Sequence, residues 1–203
     1  MVKIKVSKLG EDHVKVADSY ICLGIVARNQ GEYEEVKAYY QKALKIQVSK
    51  LGEDHVDVAR GYNNLGNVAD DQGEYEEAKA YYQKALKIYV SKLGEDHVNV
   101  AGSYNNLGVV AQNQGEYEEA KAYYQKALKI RVSKLGEDHV NVAISYNNLG
   151  TVAKNQGEYE EAKAYYQKTL KIYVGKLGED HPDVKQTKRN LALLPLPKEQ
   201  LGC

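Results

Sequence analysis

The sequence contains no phenylalanine and no tryptophan, although it has 18 tyrosines. So one-sided an aromatic set suggests that one short segment has been copied many times. Cysteine is also scarce, since Cys22 and Cys203 are the only two. Two cysteines so far apart do not form the disulfide framework of a small secreted protein. We therefore expect a reducing, cytoplasmic setting.

An excess of either charge is missing too. The chain has 28 Lys and Arg against 28 Asp and Glu. This balance argues against a basic nucleic-acid-binding surface and against an acidic disordered tail. No apolar run approaches the ~18 residues that span a bilayer, and the first residues lack the apolar segment of a signal peptide. We expect neither nucleic acid nor membrane as a partner.

The chain does contain a repeat. The segment KLGEDH begins at five positions spaced 42 residues apart: Lys8, Lys50, Lys92, Lys134 and Lys176. A period of this size indicates a solenoid. The spacing predicts a single array of four units: 13–54, 55–96, 97–138 and 139–180. Residues 1–12 match the end of a second helix and its connector, 181–194 resemble a C-terminal capping helix, and 195–203 form a tail.

Each unit is predicted to form two helices. In the second unit, apolar residues recur at spacings of three and four, as on one face of an amphipathic helix: Val58, Ala59, Tyr62, Leu65, Val68 and Ala69 in the first helix, and Ala78, Tyr82, Ala85, Ile88 and Tyr89 in the second. Gly73 and Gly94 are expected to end the two helices. His97 or Asp96 is expected to cap the next first helix.

These residues carry a family resemblance. Tyr62-x2-Leu65-Gly66, followed by Ala78-x3-Tyr82, resembles the tetratricopeptide repeat (TPR) pattern. The 42-residue period and the LGEDH connector are similar to the repeats of kinesin light chains and of nephrocystin-like proteins. The resemblance implies an all-α, right-handed superhelical solenoid of antiparallel helix pairs. It also implies that the first helix of each pair lines a concave groove that binds a partner peptide or helix.

Variation between the units is concentrated on one face of the first helix. Eight of the 15 positions from Lys15 to Asn29 vary between units, against four of the 20 from Glu32 to Leu51. The varying and constant residues of the first helix occupy separate arcs of a helical wheel, with Ser19, which becomes Gly61, as the lone exception. This suggests a surface diversified for contact. Neutral drift with uneven copying, or a laboratory library, would leave a similar pattern.

Paired asparagines interrupt the first helix in three units, although asparagine is a poor helix former. Stacked amides could pair with the backbone of an extended peptide, and the kinesin-light-chain resemblance implies a cargo-binding role. An inter-repeat hydrogen-bond ladder, or simple solvation, is the structural alternative. The predicted groove residues are Ile21, Ile25, Arg28, Arg60, Asn63, Asn64, Asn67, Asp70, Asn105, Asn106, Val109, Gln112, Ile144, Asn147, Asn148, Thr151 and Lys154.

Catalytic and metal sites are not predicted. The five histidines, one at the start of each repeat and one at the start of the capping segment, are expected to lie about 10 Å or more apart, too far to share a zinc ion. We therefore expect them to cap helices or to belong to connectors. No Ser–His–Asp order, phosphate-binding glycine loop or HExxH motif occurs. We expect no enzyme activity and no cofactor.

The predicted function is a protein–protein interaction scaffold or adaptor. The alternatives are a repeat arm of a larger signalling or sensor protein, and an engineered repeat scaffold without a natural ligand. The first nine residues match the close of a second helix, as if the array had been cut. An uncapped solenoid end exposes core surface, so we also expect head-to-tail self-association.

Overall fold

The computed structural model describes residue 10 and residues 13–195, which form nine α-helices and no strand. The helices are α1 (Val14–Gln30), α2 (Tyr33–Leu51), α3 (Val56–Asp71), α4 (Tyr75–Leu93), α5 (Val98–Asn113), α6 (Tyr117–Leu135), α7 (Val140–Gln156), α8 (Tyr159–Leu177) and α9 (Pro182–Ala192). The predicted all-α repeat fold is confirmed. The partial helix predicted in 1–12, except for Gly10, and tail residues 196–203 lie outside the described residues.

The chain forms two compact units, one ending at Ser103 and the other beginning at Tyr104. In the first unit α1 packs on α2, α2 on α3, and α3 on α4. In the second, α6 packs on α7, α7 on α8, and α8 on α9. Packing between neighbours in sequence is typical of a helical repeat. None of the described helices is both long and apolar enough to cross a membrane.

Histidine begins the first helix of each pair. The His55 Nδ1 atom accepts a hydrogen bond of 3.1 Å from the backbone N–H of Asp57. The His97 Nδ1 atom accepts the equivalent bond from the backbone N–H of Asn99. His13, His139 and His181 repeat this contact. An acceptor at this position satisfies one of the backbone donors that a helix N-terminus leaves free. The capping role predicted for the histidines is confirmed.

The two helices of a pair approach closely where a glycine meets a tyrosine. A Cβ atom added to Gly66 of α3 would lie 2.6 Å from Cε1 of Tyr82 on α4. The equivalent pairs are equally tight: Gly24 with Tyr40, Gly108 with Tyr124, and Gly150 with Tyr166. The absence of a side chain thus lets each tyrosine ring approach the backbone of the first helix closely. Among the fully buried side chains, those of Tyr124 and Tyr166 are the largest.

Packing between repeats covers most of the predicted apolar face, with one exception. Val68 of α3 is 1% exposed because it packs against Ala27, Val36 and Tyr40 of the preceding repeat. The equivalent residue of the first repeat, Val26, is 53% exposed. Val26 therefore lacks the contact between repeats that its equivalent Val68 makes.

The exposed side of the second helices carries inter-repeat ion pairs. Lys37 Nζ of α2 donates to Glu74 Oε2 and to Glu77 Oε2, both at 2.9 Å. In the second unit, Lys121 makes the same contacts with Glu158 and Glu161 at 3.0 Å. These bonds raise the pKa of Lys37 and lower the pKa of Glu77. This charge ladder ties α2 to α4 in the first unit and α6 to α8 in the second.

A second constant feature of this surface is a stack of two tyrosines under a lysine. The rings of Tyr62 on α3 and Tyr81 on α4 lie 6.1 Å apart, and Lys84 Nζ lies 5.4 Å from the Tyr62 ring centre. The other three repeats contain the same stack. Such contacts are worth roughly 0.5–1 kcal/mol each at exposed sites.

These contacts explain why the exposed side of the second helices varies so little between repeats. Glu77 and Lys84 have the same residue type at the equivalent position of all four repeats, and both have structural partners. Their constancy therefore has a packing cause. It follows that the contrast in variability does not by itself identify the first-helix surface as a binding surface. The case for a binding surface must come from its own geometry.

We expect Gly66→Ala to destabilise the protein by about 1–3 kcal/mol, because the new methyl group would overlap the buried Tyr82 ring. Gly102→Ala is the matched control. It also lies inside a helix, and a Cβ there would meet nothing within 4 Å. It should stabilise by up to about 1 kcal/mol through helix propensity. Denaturant unfolding followed by circular dichroism measures both, and equal effects would contradict the proposed contact.

Replacing Lys37 by Met should lower the free energy of unfolding at neutral pH by about 0.5 kcal/mol, the range of exposed ion pairs. Because Glu77 has a lowered pKa in the folded state, its contribution is present above its ordinary pKa and is lost as pH falls through the lowered value. The difference between wild type and variant should therefore vanish in acid.

Lys45→Met, on the same helix, is the control for this substitution, since Lys45 is exposed and has no ion pair among the described residues. It should show no such pH dependence. A pH-independent effect of Lys37→Met in denaturant titrations from pH 7 into the acid range would rule out the ladder as its cause.

Candidate functional site

The predicted groove residues lie on the first helices of the two compact units. We call the set on α1 and α3 the unit 1 face: Ile21, Ile25, Arg28, Arg60, Asn63, Asn64, Asn67 and Asp70. We call the set on α5 and α7 the unit 2 face: Asn105, Asn106, Val109, Gln112, Ile144, Asn147, Asn148, Thr151 and Lys154. Apart from Ile25, Arg28 and Arg60, which are exposed, all of these residues are half-buried.

Both cations of the unit 1 face are neutralised within the protein. Arg28 Nη2 donates to Asp71 Oδ2 at 2.6 Å, which joins α1 to α3. Arg60 forms an ion pair with Asp57, one turn earlier on α3. The exposed apolar surface on this face comes from Ile25, which is 50% exposed. The unit 1 face therefore has little unpaired positive charge to offer a partner.

Several of the variable residues hydrogen bond to the buried tyrosines. Tyr82 Oη donates to Asn67 Oδ1 at 2.7 Å, and Tyr124 Oη donates to Gln112 Oε1 at 3.4 Å. Thr151 Oγ1 lies 3.2 Å from the hydroxyl of Tyr166. Burial is the main cause that raises the pKa of Tyr82 and of Tyr166. Part of the variable surface therefore has a structural task, which is to provide a polar partner for these hydroxyls.

The apolar members of the unit 2 face belong partly to the core. Val109 packs against the cluster around Tyr124, and Ile144 packs against the cluster around Tyr173. On the unit 1 face, Ile21 packs in the same way against Val36 and Tyr40. Only the outer part of these side chains is accessible to a partner.

The amides of the unit 2 face form one step of a ladder between repeats. Asn105 Oδ1 on α5 accepts a hydrogen bond of 3.1 Å from Asn148 Nδ2 on α7. This is the structural alternative considered from the sequence, and the structure contains it at this position. The same Asn105 oxygen also accepts a bond of 3.3 Å from Arg131 Nη1 on α6.

Other amides of the two faces have no protein partner. In the part of the chain that the structure describes, no side-chain hydrogen bond is formed by Asn64, Asn106 or Asn147. All three are half-buried, so each can be reached from solvent. Asn63 Nδ2 makes only a long contact of 3.5 Å with the Tyr89 hydroxyl, and its Oδ1 is buried without a partner.

Sequence reasoning missed Arg131, which is on a second helix but reaches the unit 2 face. It is 9% exposed, and Nη1 also donates to Asn141 O at 3.1 Å and to Ser145 Oγ at 2.8 Å. Burial lowers the pKa of the Arg131 guanidinium. The sequence held a clue, because this register is one of only four variable positions of the second helix and holds Gln47, Tyr89, Arg131 and Tyr173 in successive repeats.

The described residues contain no group of three or more His, Cys, Asp or Glu side chains that could hold a metal ion. Two open cavities, of about 490 and 410 Å³, lie at the connectors between repeats. They are lined by residues 135–140 with Lys176 and Leu177, and by residues 51–56 with Lys92. Neither cavity includes a predicted groove residue.

Comparison with known proteins agrees with this architecture. The profile of the family described as tetratricopeptide repeat matches residues 15–91, 99–173 and 146–194. No curated protein matches the chain. Among solved structures, BtubC (BKLC) from P. vanneervenii is 25% identical, with a TM-score of 0.78 over 93% of this chain and 75% of that one.

Two further structures share the fold. A Podosopora anserina protein named as a kinesin light chain, with nearly identical TPR-like repeats, is 20% identical, with a TM-score of 0.75 over 89% of this chain and 85% of that one. The apo form of RapI is 22% identical, with a TM-score of 0.82 over 98% of this chain and 69% of that one. The predicted resemblance to kinesin-light-chain-like repeats is confirmed. With its helix pairs, its glycine–tyrosine contacts and a profile match over most of its length, the chain belongs to the tetratricopeptide repeat family, whose members are protein–protein interaction scaffolds.

Proposed function

We propose that this protein is an adaptor or scaffold that binds a peptide or helix of a partner protein on its first-helix faces, without catalysing a reaction. In tetratricopeptide repeat proteins these helices line the concave groove. The observation that carries the proposal is the set of half-buried asparagines without a protein partner in the described chain: Asn64, Asn106 and Asn147.

The physical argument rests on hydrogen-bonding capacity. An asparagine side chain has two donor hydrogens and an acceptor oxygen, which match the C=O and N–H groups of a peptide backbone. A half-buried amide without a protein partner is satisfied by water, and a partner that replaces this water exchanges one set of hydrogen bonds for another. Neighbouring apolar side chains such as Ile25 add contact area at these faces.

Two other functions remain as alternatives. The array could be a repeat arm of a larger signalling protein, or an engineered scaffold without a natural ligand. Both would leave the asparagines solvated and without a ligand. The cytoplasmic setting expected from the two cysteines stays a prediction, and Cys22 is a free, exposed thiol.

We also propose that copies of the chain associate head to tail through the surface that Val26 exposes. This surface corresponds to the one that Val68 buries against the preceding repeat. The receiving residues of the last repeat, Ala153, Ala162 and Tyr166, pack against Leu191 of α9, so a second copy must displace α9 to continue the interface. Sedimentation velocity over a concentration series should show association that Val26→Lys abolishes. A monomer at every concentration would contradict the proposal.

Replacing Asn147 by Ala should weaken binding of a partner peptide about fivefold, the effect of losing roughly one hydrogen bond. The peptide is first selected from a displayed library against the immobilised protein, and its affinity is then measured by calorimetry. Gln167→Ala removes an exposed amide from the outer helix α8 and should leave the affinity unchanged.

Circular dichroism and unfolding midpoints check that both variants fold alike. If no peptide is enriched in the selection, or if the two variants bind a selected peptide equally well, the proposed function is rejected.

A further inference from the structure

Each repeat contains one pair of stacked tyrosine rings, in which one ring comes from the first helix and the other from the second. For Tyr62 and Tyr81 the ring centroids lie 6.1 Å apart and the ring planes meet at 27°. The other three pairs have centroid distances of 6.1 or 6.2 Å and angles of 23°, 26° and 28°. They are Tyr20 with Tyr39, Tyr104 with Tyr123, and Tyr146 with Tyr165. A stack of this kind contributes packing energy, and its two phenol groups add a reactivity that packing does not use.

These eight rings combine a neighbouring phenol with access to solvent. All eight are half-buried, so a small reagent in solution reaches their edges. The tyrosine that follows each pair on the second helix, such as Tyr82, is buried against a glycine. Tyr75 at the start of α4 is half-buried as well, but it has no stacked partner among the described residues. In the described chain, partial exposure and a stacked phenol therefore occur together in these four pairs alone.

Two of the pairs have a carboxylate beside one hydroxyl. Burial raises the pKa of Tyr81, and so does its interaction with Glu77, which lies one turn earlier on α4. Tyr165 and Glu161 repeat this arrangement on α8. A phenol that gives up an electron becomes a strong acid, so a carboxylate within reach is placed to accept the proton that leaves with it. Glu77 is held in this position by the hydrogen bond of 2.9 Å that Lys37 donates.

We propose that each stacked pair is a site of oxidative modification, at which a one-electron oxidant joins the two rings as dityrosine and so cross-links the two helices of a repeat. Each phenol loses one electron and one proton and becomes a phenoxyl radical. The two radicals combine through a carbon–carbon bond between their Cε atoms. The hydrogen on each bonded Cε atom then moves through water to the ring oxygen, which restores both phenols. The pair loses two electrons and two protons in total, and hydrogen peroxide, acting through a haem peroxidase, accepts them and becomes two molecules of water.

The geometry favours coupling within a pair over coupling between chains. Two reactive groups that are held side by side combine much faster than the same groups free in solution. The lysine over each stack also limits access by a second chain. Lys84 Nζ lies 5.4 Å from the ring centroid of Tyr62 and 5.9 Å from that of Tyr81. The proposal does not depend on peptide binding, because none of the eight rings belongs to the unit 1 face or the unit 2 face.

The test uses the whole folded chain and a small photochemical oxidant, ruthenium tris-bipyridine with persulfate. Dityrosine is followed by its fluorescence, and each cross-link lowers the mass of the chain by two hydrogens. Cleavage after lysine and arginine places Tyr62 in the peptide 61–79 and Tyr81 in the peptide 80–84. We expect these two peptides to be joined, with fragmentation spectra that locate the bond on Tyr62 and Tyr81. The same dose of oxidant in denaturant should remove this preference, and an equal yield there contradicts a role for the stacking.

Tyr81→Phe keeps an aromatic ring in the stack and removes the phenol that reacts. It should abolish the cross-link of peptide 61–79 and retain those of the other three repeats, whose first-helix peptides differ in sequence. Tyr75→Phe is the control, because Tyr75 lies in the same peptide without a stacked partner in the described chain, and it should leave the cross-link unchanged. Circular dichroism checks that both variants fold like the wild type. Absence of dityrosine from the folded wild type, persistence of the cross-link in Tyr81→Phe, or oxidation that yields mainly cross-links between chains would overturn the proposal.

Discussion

The close contact between a glycine of the first helix and a tyrosine of the second is the constraint on which each repeat depends. At Gly66 the backbone of α3 touches the ring of Tyr82, and no larger residue fits without displacing that ring. The hydroxyl of this ring reaches the side of the first helix that varies between repeats. There it meets Asn67, while the equivalent hydroxyls of other repeats meet Gln112 and Thr151. A packing requirement thus restricts the surface proposed to bind a partner.

The second helices are held by a different kind of contact, between charged and aromatic side chains on their exposed side. Lys37 and Lys121 each bridge two glutamates of the following repeat, and lysines such as Lys84 cover stacked tyrosines. Each contact is individually weak, because the groups are partly exposed. Repetition along the array adds these contributions, since stability in solenoids comes largely from neighbouring repeats. A charged, exposed surface can therefore be as constant as a core.

One position of the second helix, occupied by Tyr89 in one repeat and by Arg131 in the next, contacts asparagines of the proposed binding surface. Tyr89 contacts Asn63 of its own repeat, and Arg131 contacts both Asn105 of its own repeat and Ser145 of the next. Tyr89 uses the amide nitrogen of Asn63, and Arg131 uses the amide oxygen of Asn105. In the repeat that has Tyr173 at this register, the equivalent Asn147 forms no side-chain hydrogen bond in the described chain. The residue at this register therefore affects the neighbouring asparagine but does not by itself fix how it bonds.

The sequence by itself determined the helical repeat, its capping histidines, its terminating glycines and most of its buried residues, because these follow from local periodicity and from backbone rules that act over a few positions. It did not reveal that Asn105 and Asn148, 43 residues apart, bond to each other, nor that Arg131 reaches the same amide. Only the tertiary structure decided which polar groups are consumed internally and which are left for a partner, because these contacts join helices whose separation in the chain carries no information about side-chain direction.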